Sequence, residues 1–199
     1  MTSAINFLAV SAEPAYVPNM PSSALMTADE LLRTRYADKR VELVRGILRV
    51  REPAGYQHGA ITARLSKLLM DHVDSRTLGS VLAAETGFKL LTDPDTVRAA
   101  DIAFIRHARL PDPRPAGYPA LAPDLAVEVL SPGDRPGETL AKVADWLNAG
   151  TALVWVIDPE RSVARVYRAD GTETLVTRDG TLDGEAVVPG FSCVLGLIL

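Results

Sequence analysis

The chain has 199 residues, 47% hydrophobic and 23% charged, the proportions of an ordinary globular domain that buries roughly 70% of the surface its unfolded chain exposes. A single cysteine, Cys193, rules out an intrachain disulfide and fits a reducing compartment, which we read as the cytoplasm. No apolar run approaches the roughly 20 residues of a membrane helix, and a net charge of −4 gives no overall basic footprint for nucleic acid. The charge is unevenly spread, however. Residues 39–114 carry 13 basic and 9 acidic side chains, a net of +4, against 8 and 16 elsewhere.

The apolar stretch Ile5–Val10 lacks a preceding Lys or Arg and is too short for a secretory core. With Pro14, Pro18 and Pro21 nearby, residues 1–26 read as a flexible, surface-draped leader before one domain over 27–199. Thr27-Ala-Asp-Glu30 is a capping-box pattern that opens a short helix through Leu31, Leu32 and Tyr36. Val41–Val44 and Ile47–Val50 predict two strands turned by Arg45-Gly46. Ile61, Leu65, Leu68, Leu69 and Val73 recur at helical spacing over 57–73. Strands are expected over 80–84, 87–91 and 100–106, followed by a loop from Leu110 to Pro123 with five prolines. Leu125–Leu130 is nearly all apolar, as in a strand covered on both faces. A helix follows over about 138–148, with Leu140, Val143 and Leu147 on its packed side and Gly150 as its stop. Strands over 153–157 and 163–168 form a hairpin, and short strands complete the chain. The order of elements predicts an α/β or α+β domain with a mixed central sheet flanked by helices.

Glu128 is the informative residue. It interrupts an apolar strand, where an ionised carboxylate costs several kcal/mol unless it is paired, hydrogen-bonded or metal-bound. Strand parity sets Leu125, Val127 and Val129 on one face and Ala126 and Glu128 on the other. A partly wet second face would also account for it. Asp101 opens the apolar segment Ile102–Ile105, where a turn or cap role is the ordinary alternative. Glu42, between Val41 and Leu43, is by default an exposed strand residue. Carboxylates beside apolar strands suit a hard divalent cation, which prefers oxygen ligands and water. Lys142 is one of four lysines and lies on the helix after the Glu128 strand. It could support charge in a transition state or simply pair with Glu138 four residues before it.

Taken in order, several strings resemble the Uma-type restriction endonuclease family of the PD-(D/E)XK nuclease superfamily over about residues 27–199. They are Val41-Glu-Leu-Val-Arg-Gly46, His58 at a helix start, Ala100-Asp-Ile-Ala-Phe104, Pro123-Asp-Leu-Ala-Val-Glu-Val-Leu-Ser-Pro132, Lys142 and Ala149-Gly-Thr-Ala-Leu-Val-Trp-Val-Ile-Asp-Pro159. The resemblance implies a restriction-endonuclease-like core and a Mg²⁺ site, with Mn²⁺ as a substitute. Asp101, Glu128 and the Val129 backbone carbonyl would hold the metal, Glu42 would act as the upstream acid, and DNA would be the substrate. Two departures stand out. Ala100 replaces the usual proline before the first Asp, and Leu130 stands where the motif lysine would, which makes Lys142 its substitute. His58 would cap its helix or contact substrate phosphate. Pairing of nuclease folds to cut both strands suggests a homodimer. A catalytically inactive nucleic-acid-binding or protein-interaction module on the same fold, and a hydrolase of small phosphoesters, are the alternatives.

Overall fold

The computed structural model describes residues 25–34 and 39–199. Helix α1 (Ala28–Arg33) begins at Thr27, whose hydroxyl accepts from the Glu30 amide while the Glu30 carboxylate accepts from the Thr27 amide. These reciprocal bonds satisfy two amides that a helix start leaves without intrahelical partners. Tyr36 and residues 1–24, to which the sequence assigned a helix end and most of a leader, lie outside the described residues. Met26 is buried with Leu31, Leu43 and Val97, and its amide donates to the Gly46 carbonyl at 2.8 Å.

Strands β1 (Arg40–Val44) and β2 (Ile47–Arg51) form a hairpin about Arg45 and Gly46. Both turn residues have positive φ, as a two-residue hairpin turn of this hand requires. Helix α2 (Tyr56–Ser75) follows, then the long strands β3 (Gly79–Leu91) and β4 (Thr96–Arg106). After the proline-rich loop come β5 (Leu125–Val129), α3 (Pro136–Asn148), β6 (Leu153–Asp158), β7 (Val163–Arg168) and β8 (Glu173–Thr177). Two short strands, β9 (Thr181–Asp183) and β10 (Ser192–Val194), pair separately.

The main sheet runs β2-β1-β4-β5-β6-β7-β8, with β3 also paired to β4. Only β5 and β6 are parallel, so the sheet is mixed and mostly antiparallel, an α+β arrangement. On one face α2 buries Ile61, Leu65, Leu69 and Val73 against Ile102, Phe104, Leu125, Val127 and Trp155. At roughly 1.5–3 kcal/mol per fully buried side chain, this stripe fixes α2 and its first turn to the sheet. On the other face Val143 and Trp146 of α3 pack with Ala103, Ala126, Val154 and Phe88. Among the described residues no helix is long and apolar enough to cross a membrane.

Three local expectations are corrected. The two strands expected over 80–84 and 87–91 are one 13-residue strand, β3. Its sequence break is a bulge: Ala83 pairs Ile102 and Thr86 pairs Ala100, leaving Ala84 and Glu85 together opposite Asp101. Strand β4 begins at Thr96 rather than Ala100, so Asp101 is mid-strand; Arg98, in the added part of the strand, is buried among carboxylates. Leu140, assigned to the packed side of α3, is 53% exposed. The helix is rotated so that Val143 and Trp146 supply its buried face.

Gly46 marks how closely the hairpin packs on the segment before α1. Its φ is +76°, and an added Cβ would lie 2.5 Å from Leu25 Cβ. Gly46→Ala should cost about 1–3 kcal/mol in urea unfolding followed by circular dichroism. An unchanged midpoint would contradict this packing.

Candidate active site

Strand β4 has β3 along the whole of one edge. Its other edge is shared by two strands, with β1 pairing only at Val97 and β5 only at Ile102 to Phe104. Between them, residues 98–101 have no ladder partner on that side. A buried backbone group left unpaired costs about 1–3 kcal/mol, and side chains take the place of the absent strand. Glu42 on β1 accepts from the Ala99 amide at 3.0 Å, and Lys142 on α3 donates to the Ala99 carbonyl at 2.7 Å. Asp101 accepts from the Val129 amide at 2.7 Å, where β5 parts from β4.

These interactions draw the separated sequence positions into one cleft of about 50 Å³. Glu42, His58, Asp101, Glu128, Val129 and Lys142 all line it. Glu42, Asp101 and Glu128 are buried, at 5%, 5% and 7% exposure. The default exposed reading of Glu42 is therefore corrected, as is the partly wet face for Glu128. Lys142 turns inward to Glu128 at 2.7 Å and Glu42 at 3.0 Å. Its alternative partner Glu138 instead faces Arg51 at 3.5 Å. His58 does not cap α2, because Gly55 occupies the cap position. Its Nε2 lies 3.1 Å from Asp101 Oδ1.

Further residues complete the cluster. Trp146, one turn after Lys142, donates its indole N–H to the second oxygen of Glu128 at 2.8 Å. Arg98 bridges Glu42 at 2.8 Å and Asp145 at 2.6 Å. The β3 bulge brings Glu85 2.7 Å from Arg40, which lies 3.9 Å from Asp101. Both bulge residues have φ near +58°, a conformation that costs non-glycine residues energy and is often found beside functional sites. Sequence reasoning missed these five positions. For Trp146 and Asp145 a signal existed in their helical spacing from Lys142, and for Glu85 in the interrupted strand pattern. Nothing local marked Arg40.

Burial and neighbouring charge separate the acids. Burial works against ionisation of Glu42, yet Lys142, Arg98 and the Ala99 amide bring its pKa down to about 2. Asp101 is also held below the usual carboxylate range: burial opposes its charge, but His58, Lys142 and the Val129 amide favour it. For Glu128 burial prevails over Lys142, and the negative charges of Asp101 and Glu42 add to it, raising the pKa to about 7. Lys142 is pushed above its ordinary value, because Glu128, Glu42 and Asp101 outweigh the burial that would strip its proton. Glu128 is thus the carboxylate that holds a proton near neutrality.

This has a consequence for folding. Glu128 rises from 4.5 to about 7 on folding, so between those values the folded state binds a proton that the unfolded state releases. Its contribution is fully present below about pH 4.5 and is lost as pH rises through about 7, a change on the order of 3 kcal/mol. Glu42 has the opposite sign, its contribution being lost as pH falls from 4.5 toward about 2. In metal-free urea titrations, wild type should lose stability from pH 5 to 8 and Glu128→Gln should show a flatter profile. Equal slopes would contradict the assignment.

Comparison with known proteins places this geometry in a family. No curated protein matches the sequence. A crystal structure of a "putative nuclease" from Anabaena variabilis superposes with a TM-score of 0.76 at 21% identity, covering 87% of this chain and 97% of that one. At that identity the likeness speaks for the fold alone. The model of the Uma2 family, described as "Putative restriction endonuclease", matches residues 28–196. The match spans every element from α1 to β10 and all the cleft residues, and the chain belongs to the Uma2 family.

Proposed function

We propose that this protein is a divalent-metal-dependent endonuclease that hydrolyses DNA phosphodiester bonds. The observation that carries the reading is the convergence of Glu42, Asp101, Glu128 and Lys142, from β1, β4, β5 and α3, on one cleft. Membership of the Uma2 family and the fold shared with the Anabaena nuclease candidate support it.

The donor set fits a hard cation such as Mg²⁺, with Mn²⁺ as a substitute. Among the described residues no three His, Cys, Asp or Glu side chains stand ready as a metal cage. Mg²⁺ does not require one, because it commonly uses one or two carboxylates, with water and substrate phosphate completing its shell. The cleft lining also has five carboxylates against three Lys or Arg side chains, an excess of negative charge that a divalent ion would answer. Asp101 and Glu128 would hold it, with the Val129 backbone carbonyl. When bound, the ion would supply Lewis acidity toward the phosphoryl oxygen and lower the pKa of water.

The chain's own groups do the rest. Glu128 must give up its proton to act as a ligand, which its environment makes available near neutrality. His58 and the Val129 amide fix the orientation of Asp101. Lys142, held between Glu42 and Glu128, would remain an ammonium and place positive charge where a phosphorane-like transition state accumulates negative charge. Glu42, kept ionised by Arg98 and Lys142, would orient the attacking water and anchor the lysine. One observation favours a second reading, a DNA-binding module without catalysis: Lys142 and Trp146 already occupy the two oxygens of Glu128.

Nicking of supercoiled plasmid separates the two. Mg²⁺ or Mn²⁺ should support cleavage that EDTA abolishes. Asp101→Ala, Glu128→Ala and Lys142→Ala should each reduce the rate by at least about 100-fold. Salt-sensitive binding without metal-stimulated cleavage would support the non-catalytic module, and cleavage unchanged in an Asp101→Ala, Glu128→Ala double variant would refute the proposed site.

A further inference from the structure

Beside the carboxylate cleft lies a second, larger groove of about 580 Å³. The two share Glu42 and Arg51 as lining residues, so the groove adjoins the site. Its walls are the hairpin β1–β2 on one side and the start of α3 on the other. In the hairpin register Glu42 stands opposite Arg49, and Arg40 opposite Arg51. Directly opposed residues of an antiparallel pair share a face. Arg49 and Arg51 therefore extend the face that carries Glu42. Arg45 at the hairpin turn and Arg135 at the α3 cap line the same groove.

The pairing of these arginines separates them into two sets. Arg51 is held by Asp134 at 2.6 Å, and Arg98 by Glu42 and Asp145. Arg45, Arg49 and Arg135 are exposed, and among the described residues their guanidinium groups have no acidic or hydrogen-bonding partner. Three unanswered cations in one groove are notable in a chain whose net charge is −4. The two carboxylates in the groove do not answer them: Glu42 is held by Arg98 and Lys142, and Glu138 faces Arg51. The groove lining contains no aromatic ring. It can neutralise phosphates but offers no platform on which unstacked bases could rest, the usual device for holding single strands.

We propose that Arg45, Arg49 and Arg135 bind the phosphodiester backbone of duplex DNA and deliver one strand to the carboxylate cleft. This rests on the nuclease reading and adds its substrate-positioning surface. Contacts of this kind fix register on the duplex and carry no base information. Binding should therefore be largely independent of sequence and strongly dependent on salt.

The test is fluorescence anisotropy with a labelled duplex and the full chain in EDTA, so that binding is read without cleavage. The triple variant Arg45→Ala, Arg49→Ala, Arg135→Ala should bind at least about tenfold more weakly. Its plot of log affinity against log salt should be shallower by about 2 to 3, since each lost phosphate contact removes about 0.9. A control that removes charge elsewhere, Lys67→Ala with Arg76→Ala on exposed parts of and beside α2, should leave both quantities unchanged. Circular dichroism melts verify that the variants fold. Wild-type binding with an unaltered affinity and slope in the triple variant would overturn the groove while leaving the nuclease reading intact. Tighter binding to the corresponding single strand would overturn the duplex assignment. Absence of both binding and plasmid cleavage by the wild type would remove the nuclease reading, and the groove with it.

Discussion

The structure turns on an interruption in the sheet. Strand β4 is too long for either partner on its open edge, and four residues between β1 and β5 are left without a ladder. Buried amides and carbonyls must be paired somewhere. Here the partners are Glu42, Asp101 and Lys142, side chains that would otherwise have little reason to enter an apolar sheet. The residues that close the sheet are also those that line the cleft. Local fold and candidate chemistry therefore cannot be altered separately at these positions.

Lys142 is central to the charge balance. Three carboxylates with less than a tenth of their surface exposed would repel one another strongly in a poorly polarisable interior. The ammonium set between Glu42 and Glu128 offsets much of that repulsion, and Arg98 does the same on the far side of Glu42. The compensation is incomplete at Glu128, which is buried and shares the lysine with Glu42. Its elevated pKa follows from that shortage of positive charge. On the function proposed above, a bound cation would make good that shortage as Glu128 releases its proton. The same shortage accounts for the unequal behaviour of chemically similar acids a few residues from one another in space.

Much of the fold was legible in the sequence, because its signals were local. The capping box at Thr27, the stripe from Ile61 to Val73 and the hairpin turn at Arg45-Gly46 each reflect short-range chemistry that the fold retains. Glu128 was conspicuous because a charge in an apolar strand demands an explanation. Asp101 and Glu42 were weaker signals, since nothing within a few residues of either reveals the gap in the ladder that they fill. Trp146 illustrates the limit in another way. Its buried face was obscured by Leu140, a better apolar match to the expected stripe that proves to face solvent. Glu85 and Arg40 belong to strands far apart in sequence, and only the bulge opposite Asp101 brings them together.

The central claim is that this pocket exchanges its internal counter-charge for a divalent ion. A crystal structure grown with Mn²⁺ at a pH above 7, with anomalous scattering recorded at the manganese edge, tests it most directly. The account predicts one anomalous peak touching both Asp101 and Glu128, with the Glu128 oxygen released from Lys142 and the ammonium still beside Glu42. A pocket without manganese density at saturating concentration, its Lys142–Glu128 pair intact, would contradict it.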